Sequence, residues 1–310
     1  RGCKLIFAFR AFMNTSFSYK VLDRLFNFLG QLSLKNRLRM GAFLNLIAPL
    51  VMKRRIGIVK KNLELSFPNA SEEERITWQK QHIRALCQSI VDRGLIWYGD
   101  EEKIKEQVNL INFHYLDDAQ KNNEKIILLA PHFIGLDVAA SRMTMIVKES
   151  ATIYTAQRNE SIDSIIRKGR ARFNTVHLIE RKDGVRSMIR YLRQGFPVYY
   201  LPDMDFGRKG SVFVPFFGIP VATLPTTAVL AEKFGATIIP IYSHWNRETG
   251  HYDVEVLAPL ENFPGDKTVE EATAYVNEYI EKLILRDPSQ YYWVHRRFKT
   301  RPDPNEEKFY

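Results

Sequence analysis

The chain of 310 residues is 45% hydrophobic and 26% charged, a composition typical of folded globular proteins that excludes a disordered or collagen-like chain. Its two cysteines, Cys3 and Cys87, have no CxxC partner and no histidine nearby at metal-ligand spacing, so neither a disulfide scaffold nor a zinc module is supported. The formal net charge is +10, and its position in the chain carries more information than its size.

The excess positive charge lies at the N-terminus, because residues 1–55 hold eleven Lys or Arg residues and one acid, Asp23. The same segment is rich in Phe, Leu and Met, and this combination favours an anionic membrane surface over nucleic acid. No stretch reaches the roughly 20 apolar residues that a spanning helix needs. A signal peptide also fits poorly, because Arg10 interrupts the first apolar run. We therefore predict a basic, helical, membrane-associating segment, with helices packed on the protein body as the alternative.

Residues 1–125 are predicted to be mostly helical. Ser71 and Glu74 have the spacing of a capping box, which begins a helix running toward Asp92 or Gly94 with Cys87 as a buried thiol inside it. From residue 125 onward, short apolar runs alternate with amphipathic stretches. The predicted strands cover 126–130, 152–155, 198–201, 237–243 and 253–257, and the predicted helices cover 135–148, 159–173, 183–194, 222–235 and 268–286. This alternation predicts an α/β domain over residues 56–310, with a mixed, mostly parallel sheet flanked by helices.

A histidine and an aspartate follow the first long apolar strand, at the end where α/β proteins often place function. His132 and Asp137 would lie on different faces of one continuous helix, but they face each other if His132 lies in a turn and Asp137 in the first helical turn. A carboxylate that accepts from one ring N–H leaves the other nitrogen free as a base. The alternatives are a histidine that caps the strand without a catalytic task, or half of a metal site.

A second charged turn follows the predicted strand 198–201. Asp203 and Asp205 have the spacing of a calcium loop, but the twelfth position is Val214 where an EF-hand requires Glu. The aromatic run 212–218 that comes next either walls an acyl-chain tunnel or belongs to the core, and the core is the safer prediction. No G-x-S-x-G motif occurs, so His132 is expected to activate a hydroxyl on a substrate rather than one on the enzyme.

Several ordered strings are similar to those of a known family. His132-x4-Asp137, the Arg181 segment, the turn 202–205 and the segment 239–241 look like the four blocks of the glycerolipid acyltransferase superfamily. The strings at 203–207, 212–218 and 290–302 resemble the late acyltransferases of bacterial lipid A biosynthesis, and the resemblance covers roughly residues 50–310. It implies a glycerol-3-phosphate acyltransferase-like fold. It also implies transfer of a fatty acyl chain from acyl carrier protein to a hydroxyl of a 3-hydroxyacyl chain on a phosphorylated lipid A precursor, without a covalent enzyme intermediate.

The resemblance also implies roles for individual residues. His132 is expected to be the general base, Asp137 its orienting partner, and Arg170 the group that stabilises the oxyanion or thioester. Many lipid A members have Glu at the position of Asp137, whereas the wider superfamily has Asp. Substrate contacts are expected from Arg181, Asp203, Asp205, Arg208, Arg296 and Arg297. No metal and no cofactor is expected, acyl carrier protein being the carrier of the co-substrate.

The expected partners are acyl carrier protein, a phosphorylated lipid A precursor and an anionic membrane surface, and not nucleic acid. The expected location is the cytoplasmic face of the bacterial inner membrane, held peripherally or monotopically. A single-pass anchor stays open because the sequence begins with Arg rather than Met. One alternative is an acyltransferase for a glycerophospholipid or another glycolipid, and a second is a non-enzymatic basic membrane protein.

Overall fold

The computed structural model describes the backbone of residues 2–310 and the side chains of residues 17–181 and 183–310. The predictions for Cys3 and for the charged residues Arg1, Lys4 and Arg10 concern side chains outside this described part. Four helices open the chain, as predicted for this half: α1 (Gly2–Gln31), α2 (Leu34–Val51), α3 (Lys53–Ser66) and α4 (Glu72–Tyr98).

Helix α4 begins at the predicted capping box. The Ser71 hydroxyl accepts from the N–H of Glu74, and the Glu74 carboxylate accepts from the N–H of Ser71. The helix continues past Gly94, where the sequence suggested its end. A Cβ atom at Gly94 would lie 2.5 Å from the Cβ of Leu29 in α1, so this glycine permits close approach of two helices rather than ending one. The thiol of Cys87 is buried inside α4, as predicted.

The first two helices pack against α4 in the described part of the chain. A buried ion pair joins Arg37 of α2 to Asp92 of α4 with the nitrogen 2.9 Å from the oxygen. From residue 17 onward, the outer faces of α1 and α2 nevertheless expose eight large apolar side chains: Phe17, Val21, Leu25, Phe28, Phe43, Leu46, Leu50 and Val51. Among the described residues, no helix is both long and apolar enough to cross a membrane.

The remainder of the chain is an α/β domain, as predicted. Its strands are β1 (Val108–Ile111), β2 (Lys125–Leu129), β3 (Glu149–Tyr154), β4 (Thr175–Glu180), β5 (Val198–Tyr200), β6 (Val212–Phe216), β7 (Ile219–Thr223), β8 (Ala236–Trp245) and β9 (Tyr252–Val256). The helices are α5 (Glu101–Gln107), α6 (His114–Lys121), α7 (Leu136–Thr144), α8 (Glu160–Arg170), α9 (Gly184–Arg193), α10 (Thr226–Phe234) and α11 (Val269–Arg286). Short 3-10 turns cover Arg181–Asp183 and Pro288–Gln290.

Seven strands form one sheet in the order β1-β9-β8-β2-β5-β3-β4. All neighbouring pairs are parallel except β8 with β9, so the mixed, mostly parallel sheet is confirmed. Strand β2 lies in the middle with β8 on one side and β5 on the other. The carboxyl ends of β2 and β5 therefore meet at the same edge of the sheet, where the functional site lies.

The sequence prediction missed β1, β4 and the β6–β7 hairpin. The hairpin turns at Phe217 and Gly218, which both have positive φ, as two-residue hairpin turns require. The helix predicted from residue 222 begins only at Thr226, because β7 occupies the preceding residues. Val214 and Phe216 are buried in the core, which confirms the safer of the two interpretations of the run 212–218.

Candidate active site

His132 and Asp203 lie at equivalent positions beyond two neighbouring parallel strands. Leu129 of β2 pairs with Tyr200 of β5, and each of the two polar side chains follows three residues later. The Nδ1 atom of His132 lies 2.8 Å from Asp203 Oδ1, and the backbone N–H of His132 donates to Asp203 Oδ2 at 2.9 Å. The carboxylate thus holds the ring and its backbone together, and within the described part of the chain Nε2 has no hydrogen-bond partner.

The Asp203 carboxyl is fully buried but ionised. Burial by itself raises the pKa of this carboxyl, but the charge and hydrogen bonds of His132 outweigh burial and lower the pKa to about 2. An ionised carboxylate only accepts hydrogen bonds, so the proton of a neutral ring must lie on Nδ1. Nε2 is then left with its lone pair, which is the arrangement that a general base needs.

Asp137 does not hold the ring, and the expected pairing with His132 is therefore wrong. Its Oδ2 atom accepts from Arg93 of α4 at 3.0 and 3.2 Å, and its Oδ1 atom accepts from Nε of Arg170 of α8 at 3.0 Å. The reason is topological, since Asp137 lies in the first turn of α7, which packs against both α4 and α8. The loop that follows the nearby strand β5 supplies the partner of the ring instead.

The cluster of Arg93, Asp137 and Arg170 carries a net charge of +1. Burial raises the pKa of the Asp137 carboxyl, but the two guanidinium groups outweigh burial and lower it to about 2. The carboxylate therefore stays ionised at neutral pH and fixes both arginines in place. Each arginine side chain remains about a quarter exposed, so it can still donate to a bound molecule.

A cavity of about 860 Å³ connects these groups. His132, Asp137 and both arginines line it, and its volume is within the range of about 300–1,000 Å³ that small-molecule sites have. Most of the remaining lining is apolar and comes from several helices, including Leu22, Ile90, Met143, Ile165 and Met188. The cavity therefore suits a long apolar chain whose reactive end lies beside an imidazole base and a positive cluster.

Arg181 also lines this cavity, as a substrate contact would. Its guanidinium carbon lies 4.4 Å from the centre of the Phe206 ring, and this cation–π contact orients it. Arg296 lies elsewhere, at a separate small pocket on the surface. Asp203, expected to contact substrate, is instead the partner of His132.

Three further residues that were expected to contact the substrate instead form hydrogen bonds within the protein. These hydrogen bonds fix the C-terminal tail, residues 290–302. The Asp205 carboxylate accepts from the N–H and hydroxyl of Thr300 at 2.7 and 2.8 Å. Arg208 donates to two backbone carbonyls of the tail at 2.7 Å each. Arg297 is 1% exposed and donates to a backbone carbonyl and a hydroxyl at the end of β7. We revise their role accordingly, because these three side chains already form hydrogen bonds within the protein.

The tail matters because it supports the histidine loop. The N–H of Tyr292 donates to the carbonyl of His132 at 2.8 Å, and Phe133 forms an isolated bridge with Tyr291. The Tyr291 hydroxyl also donates to the backbone carbonyl of Asp203. Tyr291 and Tyr292 of the tail thus fix the two loops that carry the imidazole and its carboxylate.

Comparison with known proteins identifies the family. The model of the bacterial lipid A biosynthesis acyltransferase family matches residues 19–300. The chain belongs to this family. It is an acyltransferase, which excludes the alternative of a non-enzymatic membrane protein.

Several curated relatives of this acyltransferase come from Escherichia coli (strain K12). A lipid A biosynthesis lauroyltransferase is 34% identical over 266 residues, or 86% of each chain. A palmitoleoyltransferase is 33% identical over 264 residues, or 85% of each chain, and a myristoyltransferase is 30% identical over 242 residues, or 77% of this chain and 74% of the relative. Among solved structures, the 1-acyl-sn-glycerophosphate (LPA) acyltransferase PlsC of Thermotoga maritima matches with 13% identity and a TM-score of 0.37, covering 82% of this chain and 97% of that one.

Sequence reasoning missed two residues at the site of this acyltransferase. Arg93 lies inside α4, far along the chain from the motifs, and nothing in its local sequence separates it from a surface arginine. Tyr292 lies in a string that the family resemblance had singled out, but only the structure brings its ring centre to 6.3 Å from that of His132. In the described part of the chain, no group of three or more His, Cys, Asp or Glu residues could hold a metal ion.

Proposed function

We propose that this acyltransferase transfers a fatty acyl chain from acyl carrier protein to a hydroxyl of a 3-hydroxyacyl chain on a lipid A precursor. The observation that carries the proposal is the His132–Asp203 pair at a mostly apolar cavity that three arginines also line. The names of the relatives support the acceptor, since each is named for lipid A biosynthesis. The apolar lining supports an acyl chain as the group transferred.

The first step is attack by the acceptor hydroxyl. Nε2 of His132 takes the hydroxyl proton while the oxygen forms a bond to the thioester carbonyl carbon. The ring then carries a positive charge, which the buried Asp203 carboxylate stabilises through Nδ1–H. Asp203 stays ionised throughout, because its lowered pKa does not permit it to take the proton.

The developing oxyanion needs hydrogen-bond donors. Arg93 and Arg170 supply them, and together with Asp137 they leave one net positive charge beside the reacting carbon. Asp137 is a positioning residue in this scheme, since it acts by holding the two guanidinium groups. When the C–S bond breaks, the departing thiolate takes the proton back from His132. No covalent enzyme intermediate and no metal takes part.

The test is direct transfer in a purified system. Acyl carrier protein loaded with a labelled acyl chain is offered a lipid A precursor and lysophosphatidic acid side by side, and products are identified by mass spectrometry. We expect acylation of the lipid A precursor by wild type and none by His132→Ala. His114→Ala removes an exposed imidazole from α6 and is the matched control. Preferred acylation of lysophosphatidic acid, or near-normal transfer by His132→Ala, contradicts the proposal.

We further propose that residues 1–55 hold the enzyme on an anionic membrane surface. The support is the exposed apolar faces of α1 and α2 together with the basic charge of this segment. Leu46→Ser with Leu50→Ser should reduce flotation with vesicles that contain anionic lipid. Leu285→Ser removes an equally apolar exposed side chain from α11 and should not change flotation. Equal flotation of all these variants contradicts the proposed surface.

A further inference from the structure

A second, smaller pocket of about 220 Å³ lies on the surface between α3 and the C-terminal tail. Its lining consists of Arg54, Arg55 and Ile58 from α3 and Arg296 from the tail. Three arginines from two separate parts of the chain therefore line one pocket. This pocket is separate from the cavity that contains His132.

The three arginines are poorly neutralised by the protein. Among the described residues, Arg54 has no hydrogen bond and no ion pair, and the side chain of Arg296 only lies over the Tyr310 ring at 5.5 Å. Arg55 donates to the carbonyl of Val294 at 3.1 Å, which positions it without cancelling its charge. No carboxylate lines the pocket in the described part of the chain. Like charges held close together repel one another, and a bound anion offsets that cost.

The local backbone adds to this positive potential. Arg54 and Arg55 lie in the first turn of α3, where the helix dipole favours acids and disfavours cations. This turn contains no acidic residue, and its N-cap residue, Met52, makes no side-chain capping bond. The arrangement works against helix stability, so a role in binding explains it better than a role in folding.

The position of the pocket indicates a lipid as the source of the anion. Leu46, Leu50 and Val51, which are at least 74% exposed, come directly before the basic turn. Apolar side chains followed by arginines match the boundary between acyl chains and headgroup phosphates in a bilayer. The pocket is also close to the reaction site, because Tyr292 lines the large cavity and Arg296 follows it by four residues, which span at most about 14 Å.

We propose that Arg54, Arg55 and Arg296 form a binding site for a phosphate group of the lipid acceptor. Guanidinium groups bind phosphate through paired, charge-assisted hydrogen bonds, and three of them suit a doubly charged phosphate monoester. The site holds the polar end of the acceptor while its hydroxyl reaches Nε2 of His132. This inference rests on the proposed function, because it names how the proposed acceptor is bound.

The experiment compares kinetic constants for acceptor and donor. Arg54→Gln combined with Arg296→Gln removes two guanidinium groups that make no hydrogen bonds to the described protein. We expect KM for a phosphorylated lipid A precursor to rise at least about tenfold, the lower-end effect of losing a single hydrogen bond to a charged group, with kcat and the KM for acyl carrier protein unchanged. With an acceptor from which the phosphate has been removed, the same variant should have the same KM as wild type.

Lys53→Gln is the matched control, since it removes a positive charge from the same helical turn but does not line the pocket. An equal rise in KM for Lys53→Gln would mean that general attraction to an anionic surface explains the effect, which overturns the site. A rise in KM for the donor instead assigns the arginines to acyl carrier protein and also overturns it. An unchanged KM for the phosphorylated acceptor in the double variant likewise overturns the site.

Binding of inorganic phosphate separates this inference from the proposed function. Titration followed by ³¹P line broadening should show millimolar binding that the double variant loses and Lys53→Gln keeps. If wild type fails to acylate the lipid A precursor, the proposed function fails, and the phosphate titration still decides the site. If wild type and the double variant bind phosphate equally, the site is refuted whatever the acceptor is.

Discussion

Replacing Asp203 by asparagine tests the central feature of the site. The Asp203 carboxylate accepts two hydrogen bonds, from Nδ1 of His132 at 2.8 Å and from its backbone N–H at 2.9 Å. Asparagine has the same shape but only one acceptor oxygen. The backbone N–H requires that oxygen, so the amide NH₂ must face Nδ1. The ring hydrogen then moves to Nε2, which can no longer take a proton from the substrate.

The size of the effect follows from what the ring loses. General base catalysis contributes about 10²- to 10⁴-fold, and both the correct tautomer and the charge opposite the imidazolium are lost. We expect kcat for Asp203→Asn to fall about 10³-fold, which is about 4 kcal/mol in activation free energy. KM for the acceptor should change little, because Asp203 is buried and does not line the cavity.

The assay measures initial rates of acyl transfer at saturating donor over a range of acceptor concentrations. Asp118→Asn, a change at an exposed carboxylate in α6, is the matched control and should keep the wild-type rate. Thermal unfolding of both variants shows whether a slow rate reflects a lost fold. A folded Asp203→Asn enzyme with more than about a tenth of the wild-type kcat would refute the assignment of Asp203 as the partner of the base.

Three other changes test the surroundings of the site. Asp137→Asn should lower kcat about 10²-fold, because the two arginines lose the carboxylate that holds them. The pH profile of transfer should keep its wild-type shape, because the His132–Asp203 pair is intact. A changed profile would indicate that Asp137 acts on the His132 ring after all. Gly169→Ala places a Cβ atom 2.3 Å from the Trp97 ring and should lower the free energy of unfolding by about 2 kcal/mol in urea titrations, so unchanged stability would contradict the packing. The pKa values of Asp137 and Asp203 are lowered from 3.8 to about 2, so each ionised carboxylate stabilises the fold above about pH 4 and this stabilisation is lost as the pH falls toward 2. Each carboxylate contributes about 2 kcal/mol to the free energy of unfolding. Between pH 5 and pH 2, the free energy of unfolding of either Asn variant should therefore depend less on pH than that of wild type.

The sequence was sufficient to predict elements that depend on short-range patterns. The capping box at Ser71 and Glu74 and the strands on either side of the site follow local rules of hydrogen bonding and apolar periodicity. The sequence prediction missed the β6–β7 hairpin because Pro215 and a continuous apolar run obscure the alternation typical of strands. Gly94 was wrongly predicted as a helix end. It is a glycine because α1 packs closely against α4 at this position, and local sequence does not indicate such a contact.

The position of His132 directly after a long strand of an α/β sheet can be predicted without a structure, because it depends only on the order of residues along one segment. The tertiary structure decided which carboxylate serves the histidine. Parallel pairing of β2 with β5 brings Asp203 to the ring from 71 positions away, while Asp137, only five positions away, turns with α7 toward Arg93 and Arg170. Proximity in a folded chain is set by strand order and helix packing, and these arise from contacts between distant segments that no spacing along the sequence specifies.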